Sequence, residues 1–204
     1  MDIRNEILES YTYYHIYNRG INSENIFSTK ENYLFFLKKF AAYVIPVCDV
    51  YAYCLMPNHF HFIIKVKSET EIKIFAKISE LDKAKVNKGL HSFDAIVSKQ
   101  IGKFTSSYSQ AYNKINNRHG ALLESPFKRK RIGSEEYLIN LIIYIHLNPI
   151  DLKQNFETYL FSSYSSILSN SKTNLMRDET IMLFGDLNNF IYSHHHPPKF
   201  DFNF

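Results

Sequence analysis

Tryptophan is absent from the sequence, cysteine occurs twice, and glycine and proline occur six times each. Cys48 and Cys54 have no second pair beside them, so they match neither a zinc ribbon nor a disulfide framework and read as buried thiols in a reducing compartment. Few glycines and prolines leave no room for a fibrous or low-complexity chain. No apolar run approaches the ~18 residues that a membrane span needs. The N-terminal segment carries Asp2, Arg4, Glu6 and Glu9 where a secretory leader would be apolar, so a cytoplasmic protein without a membrane partner is expected.

What is present is globular. Hydrophobic residues make up 45% and charged residues 22% of 204, which suits one sizeable domain, or one domain with an appended tail. The net charge of +4 is mild but uneven. Lys128, Arg129, Lys130 and Arg131 are consecutive in "FKRKRI", and Lys73, Lys77, Lys83, Lys85 and Lys88 populate the middle of the chain. Such blocks serve as solvated faces or, near a catalytic motif, as phosphate contacts; the 15 tyrosines and 17 phenylalanines could supply rings for stacking single-stranded bases.

"YTYYHIYNRG" is rich in β-formers and ends on a turn signal, which predicts a strand. "STKENYLFFLKKFAAYV" has a Ser28 or Thr29 cap and apolar residues at helical spacing. "VCDVYAYCLM" and "HFHFIIKV" flank Pro57-Asn58 and predict an antiparallel hairpin. A short helical piece and a Lys-rich loop ended by Gly89 follow. A longer helix is expected from Ser92 to about Ile115, with Phe104, Tyr108 and Tyr112 along one face as core. "FKRKRI" reads as a short strand and Ser134 as the N-cap of "EEYLINLIIYIHLN", a helix that Pro149 stops. This order predicts an α+β fold, an antiparallel sheet with helices packed on one side.

The chemistry begins in "LMPNHFHFIIK". Strand residues i and i+2 share a face, so His59 and His61 project together while Phe60 and Phe62 point into the core. Two imidazoles so spaced are good ligands for a divalent ion, although hydrogen-bonded histidines on a sheet face would look the same. In "YIHLNPI", Tyr144 and Asn148 are one helical turn apart. Tyr137, Asn140 and Leu141 continue that stripe, and Leu138, Ile142 and Ile145 lie opposite, free to bury. His146 falls roughly 200° from Tyr144 and should not join the same site.

"YYHIYNRG", "PNHFHFII", "FKRKRI" and "YLINLIIYIHLNPI", in this order and spacing, resemble the single-tyrosine HUH transposases, most closely the REP-associated tyrosine transposase branch. The resemblance runs from about residue 11 to about residue 168, so 1–168 is expected to be the transposase domain and 169–204 an extension of uncertain role. It implies a ferredoxin-like (RRM-like) fold, Mg²⁺ or Mn²⁺ held by His59, His61 and Asn148, and Tyr144 as nucleophile, with Asn148 standing where relatives use another amide. The implied substrate is single-stranded DNA beside a hairpin, cleaved through a 5′-phosphotyrosine and rejoined. A monomer is favoured over a dimer whose tyrosine helix serves its partner's histidines.

Tyr137 is the rival nucleophile, but no amide follows it by one turn. Arg19, on one strand face with His15 and Tyr17, would contact a phosphate or form a sheet-face salt bridge. Lys128, Arg129, Lys130 and Arg131 are expected DNA contacts. His194, His195 and His196 read as a flexible polar tail. The rival functions are a hairpin-binding protein without catalysis and a metal-dependent phosphodiesterase that forms no covalent intermediate.

Overall fold

The computed structural model describes residues 6–77, 92–200 and 202. Its elements run β1 (Tyr13–Arg19), α1 (Lys30–Tyr43), β2 (Cys48–Met56), β3 (His59–Val66), α2 (Glu69–Ala76), α3 (Phe93–Ile115), β4 (Lys128–Arg131), α4 (Glu135–Leu147), α5 (Tyr164–Leu168), α6 (Arg177–Leu183) and α7 (Leu187–His195). The four strands form an antiparallel sheet in the order β2-β3-β1-β4. That order, with α1 connecting β1 to β2 and α3 connecting β3 to β4, is the expected ferredoxin-like α+β arrangement. Lys83, Lys85, Lys88 and Gly89, expected in a Lys-rich loop, lie outside the described residues.

Strand periodicity sorts the side chains. Phe60, Phe62, Ile64 and Val66 of β3 join Tyr14 and Ile16 of β1 in one cluster with Phe36 and Phe40 of α1 and Phe104 and Tyr108 of α3. Phe62 stacks on Phe40 with centroids 3.9 Å apart, and both rings are buried. Phe104, Tyr108 and Tyr112 are all buried, as the core reading of that stripe requires. Both cysteines are buried free thiols, and burial pushes each thiol far above its usual range.

On the other face, Ile63 packs with Leu138, Leu141, Ile142 and Ile145 of α4, Tyr164 of α5 and Phe190 of α7. Leu138, Ile142 and Ile145 bury as their spacing predicts, and Leu141, placed on the stripe of Tyr144 by sequence, is buried with them. β2 serves both faces because a register shift between Val50 and Ala52 inserts Tyr51. Cys48 and Val50 therefore face the first cluster, and Ala52, Cys54 and Met56 the second.

Local signals fix the ends. The Ser134 hydroxyl accepts from the Tyr137 N–H at 3.2 Å and starts α4. Ser68 and Glu71 form a capping box at α2. A Cβ on Gly20 would collide with the Glu24 carbonyl oxygen, so only glycine permits the turn that leaves β1.

The chain beyond residue 168 packs on the rest. Leu175 bridges to Val50, the Met176 N–H donates to the Val50 carbonyl at 2.8 Å, and α7 contributes Phe190 to the second cluster. His194 corrects the expectation of a flexible histidine tail. It lies in α7, is 1% exposed, and its Nδ1–H donates to the Phe190 carbonyl at 2.7 Å.

Candidate active site

β3 begins at His59 directly after the Pro57-Asn58 turn, so both imidazoles stand at the end of the hairpin. Across the sheet, Arg19 faces His59 and Tyr17 faces His61. The His59 and His61 rings lie 5.1 Å apart in an edge-to-face pair. Tyr144, carried by α4, reaches the same place, with its ring 6.3 Å from His61 and nearly perpendicular to it. Asn148 closes the helix as its C-cap, and its Nδ2 donates to the Tyr144 carbonyl at 2.8 Å.

The two histidines, the tyrosine and the amide are thus assembled within one chain. Tyr17, Asn18, Arg19, His59, His61, Lys128 and Tyr144 line a cleft of about 170 Å³. Tyr137 does not line it, and among the described residues its buried hydroxyl has no hydrogen-bond partner. His146 is fully buried on the opposite side of α4, as its angular position requires, and bonds to His194 and Ser163.

The basic strand divides by parity. Lys128 lines the cleft, pairs with Glu124 at 3.0 Å and lies 5.8 Å from the Tyr17 ring. Lys130, on the same face, sits over Tyr137 at 5.3 Å. Arg129 points the other way and donates to Ser98 of α3 at 2.7 Å, while Arg131 pairs with Glu9 at 2.7 Å. Of the four expected DNA contacts in β4, two therefore face the site side of the sheet and two are turned from it. Arg19 is exposed at the cleft wall.

Burial sets the charge states. His61 is held well below the usual imidazole range by burial, with His15, His59 and Arg19 adding to the effect. His59 is lowered by burial and by Arg19, against smaller opposing effects of the Asn148 amide and Asp151. Both rings are consequently neutral near pH 7, the form in which imidazole binds a metal. Two neutral imidazoles and an amide beside them form a donor set that fits a divalent cation. Mn²⁺ suits nitrogen donors better than Mg²⁺, which demands oxygen and keeps its waters. Among the described residues no group of three or more His, Cys, Asp or Glu could hold a metal, so a third protein donor beside the two imidazoles would have to be of another kind, as the Asn148 amide is. The Tyr144 phenol is raised by burial and by Asp151 and lowered by Asn148.

Sequence reasoning missed three neighbours of the site. His15 Nε2 lies 2.8 Å from His61 Nδ1, a contact that its parity with Tyr17 permitted but that only the strand register reveals. Phe200 and Phe202 pack against Tyr144 at 5.6 and 5.1 Å between ring centroids. Their spacing of two is visible in "KFDFNF", but nothing in it says where the segment lies.

No protein-family model matches the chain, and no curated protein matches it in sequence. Among the described residues no helix is long and apolar enough to cross a membrane. Among solved structures, the chain is similar to a REP-associated tyrosine transposase bound to a REP hairpin, with 14% identity over 83% of this chain and 86% of that one and a TM-score of 0.55. At that identity the likeness establishes a shared fold, and any chemistry of the cleft rests on its own residues.

Proposed function

We propose that the protein is a strand transferase that cleaves and rejoins single-stranded DNA beside a hairpin, with Tyr144 as nucleophile. The observation that carries this reading is the placement of Tyr144 over His61 by the chain's own helix, with Asn148 one turn further on. The solved relative's hairpin supports the choice of DNA.

In this reading the Tyr144 oxygen attacks the scissile phosphorus, its proton passing to solvent, and the 3′-oxygen of the preceding nucleotide leaves and is protonated. The product is a 5′-phosphotyrosine and a free 3′-hydroxyl. A 3′-hydroxyl from another strand reverses the step, so the phosphodiester is transferred without hydrolysis. Arg19 and Lys128 stand at the cleft wall to hold the phosphate. Mn²⁺ or Mg²⁺ held by His59, His61 and Asn148 would supply Lewis-acid polarisation of the phosphate and a field that lowers the phenol's pKa. Neutral imidazoles suit that role, and such a field would oppose the raising of the Tyr144 phenol by burial. One chain brings the full set together, which supports a monomer as the working unit.

The test is to incubate the protein with labelled hairpin-bearing single-stranded DNA and Mn²⁺ and to separate the products under denaturing conditions. A protein-linked strand is expected from the wild type and from Tyr137→Phe, and none from Tyr144→Phe. An adduct that survives Tyr144→Phe rejects the assignment. A cut strand without any adduct would favour a phosphodiesterase. A second reading, a hairpin binder that does not cleave, draws on the packing of Phe200 and Phe202 against Tyr144. It predicts tight binding with no cut strand at all.

A further inference from the structure

His15 sits on β1 with its side chain completely buried, two residues before Tyr17. The register puts Tyr17 opposite His61 and His15 opposite Ile63. His15 and His61 are therefore diagonal neighbours on one sheet face, a separation that ring side chains span. Their rings meet edge to edge and nearly in one plane, with centroids 5.0 Å apart and planes at 17°, and His15 Nε2 lies 2.8 Å from His61 Nδ1. Tyr17 stacks on His15 at 4.5 Å and on His61 at 5.9 Å, so the three rings hold one another in orientation.

Two ring nitrogens at hydrogen-bond distance share one hydrogen: one donates and the other accepts. With Nδ1 of His61 engaged by His15, Nε2 is the nitrogen through which His61 would ligate a metal in the cleft. A neutral imidazole carries one N–H. If His15 donated the shared hydrogen, that N–H of His61 would be at Nε2 and no lone pair would face the cleft. If His61 donates from Nδ1, the lone pair is on Nε2.

We propose that His15 is a positioning residue that accepts the His61 Nδ1–H and thereby fixes the tautomer of His61 whose Nε2 can ligate the metal. The proposal rests on the metal site of the preceding reading. Ligating histidines generally give their second N–H to a partner that sets ring and tautomer, most often a carboxylate, a carbonyl or water. Here a neutral imidazole takes that place, on a sheet face that already carries Lys128 and Lys130. The arrangement also fixes His15, which must carry its own hydrogen on Nδ1.

The direct test is a long-range ¹H–¹⁵N correlation spectrum of the metal-free, full-length protein with ¹⁵N-labelled histidine. It should show His61 and His15 both protonated at Nδ1 and bare at Nε2, and His61 protonated at Nε2 would overturn the proposal. Mn²⁺ titration by calorimetry or electron paramagnetic resonance, without DNA, provides the second readout. His15→Phe keeps a ring against Tyr17 but removes the acceptor and should weaken Mn²⁺ binding about 10–100-fold. His15→Gln retains an acceptor oxygen and should bind within about threefold of wild type, well short of the loss from removing the acceptor. Should His15→Phe fail to fold, the wild-type spectrum alone decides. His61→Ala separates the two claims. If it leaves Mn²⁺ binding unchanged, the metal site is wrong and the proposal falls with it. If it abolishes binding while His15→Phe does not, only the proposal falls.

Discussion

Asn148 shows how much a single residue carries. Pro149 has no N–H to continue α4, so the helix ends where the amide can fold back on the Tyr144 carbonyl at 2.8 Å. The same side chain lowers the Tyr144 phenol and opposes the depression of His59, which places it beside both. Asn148→Ala is therefore predicted to weaken Mn²⁺ binding about tenfold, a loss of about 1.4 kcal/mol, while the unfolding free energy shifts by no more than about 1 kcal/mol, the value of one hydrogen bond. Calorimetric titration beside urea unfolding checks this, and unchanged Mn²⁺ affinity would remove Asn148 from the donor set. At this scale the sequence was highly legible. Period two separated His59 and His61 from Phe60 and Phe62, and one helical turn joined Tyr144 to Asn148. The partner of His61 was not legible, because a diagonal contact depends on the register between β1 and β3, which no local pattern contains.

At the scale of the element, β4 and the C-terminal segment make separate predictions. Because β4 alternates, Lys128 and Lys130 share the site side, whereas Arg129 is bonded to Ser98 and Arg131 to Glu9. Lys128→Ala is expected to reduce the slope of log affinity against log salt by about 0.7, one phosphate contact on a single strand. Arg131→Ala should leave the slope unchanged. Equal effects from the two substitutions would mean that strand parity does not decide which side chains meet DNA. The run "FKRKRI" alone could not make this distinction, since the partners of Arg129 and Arg131 lie 31 and 122 positions away.

Phe200 and Phe202 pack against the ring of Tyr144, which an approaching phosphodiester would have to reach. Replacing both by alanine is expected to raise the yield of covalent DNA adduct severalfold at fixed Mn²⁺. A lower yield would show that these rings help to position the phenol, and no change would show that they do not obstruct it.

For the whole molecule, the buried histidines tie stability to pH. Burial lowers His15 to about 3 and His194 to about 4, and holds His61 and His146 well below the usual range. The unfolded chain takes up protons near about pH 6.5 that the native chain refuses until far lower pH. Native stability is therefore complete above about 6.5 and declines as pH falls through the interval down to 4 and 3, by about 1.4 kcal/mol per pH unit for each such histidine. Urea midpoints measured from pH 8 to 4.5 should be level at first and then drop steeply below about 6.5. A midpoint that stays level to pH 4.5 would contradict the burial of these rings as neutral groups.

The α+β architecture was legible from the order of elements, since each strand and helix had its own period and caps. The role of the chain beyond residue 168 was not. Its packing on β2 and α4 depends on Leu175 meeting Val50 and His194 meeting His146, contacts 125 and 48 positions apart. The same separation hid the buried partner of His146, His194, inside what read as a polar tail.

The central claim, that Tyr144 forms the covalent bond to DNA, is tested most directly by digesting the protein–DNA adduct and locating the nucleotide by mass spectrometry. The account predicts a single modified peptide containing Tyr144, joined to the 5′-phosphate of the cleaved strand. Modification at Tyr137 or at any other tyrosine, or cleavage with no modified peptide, would contradict it.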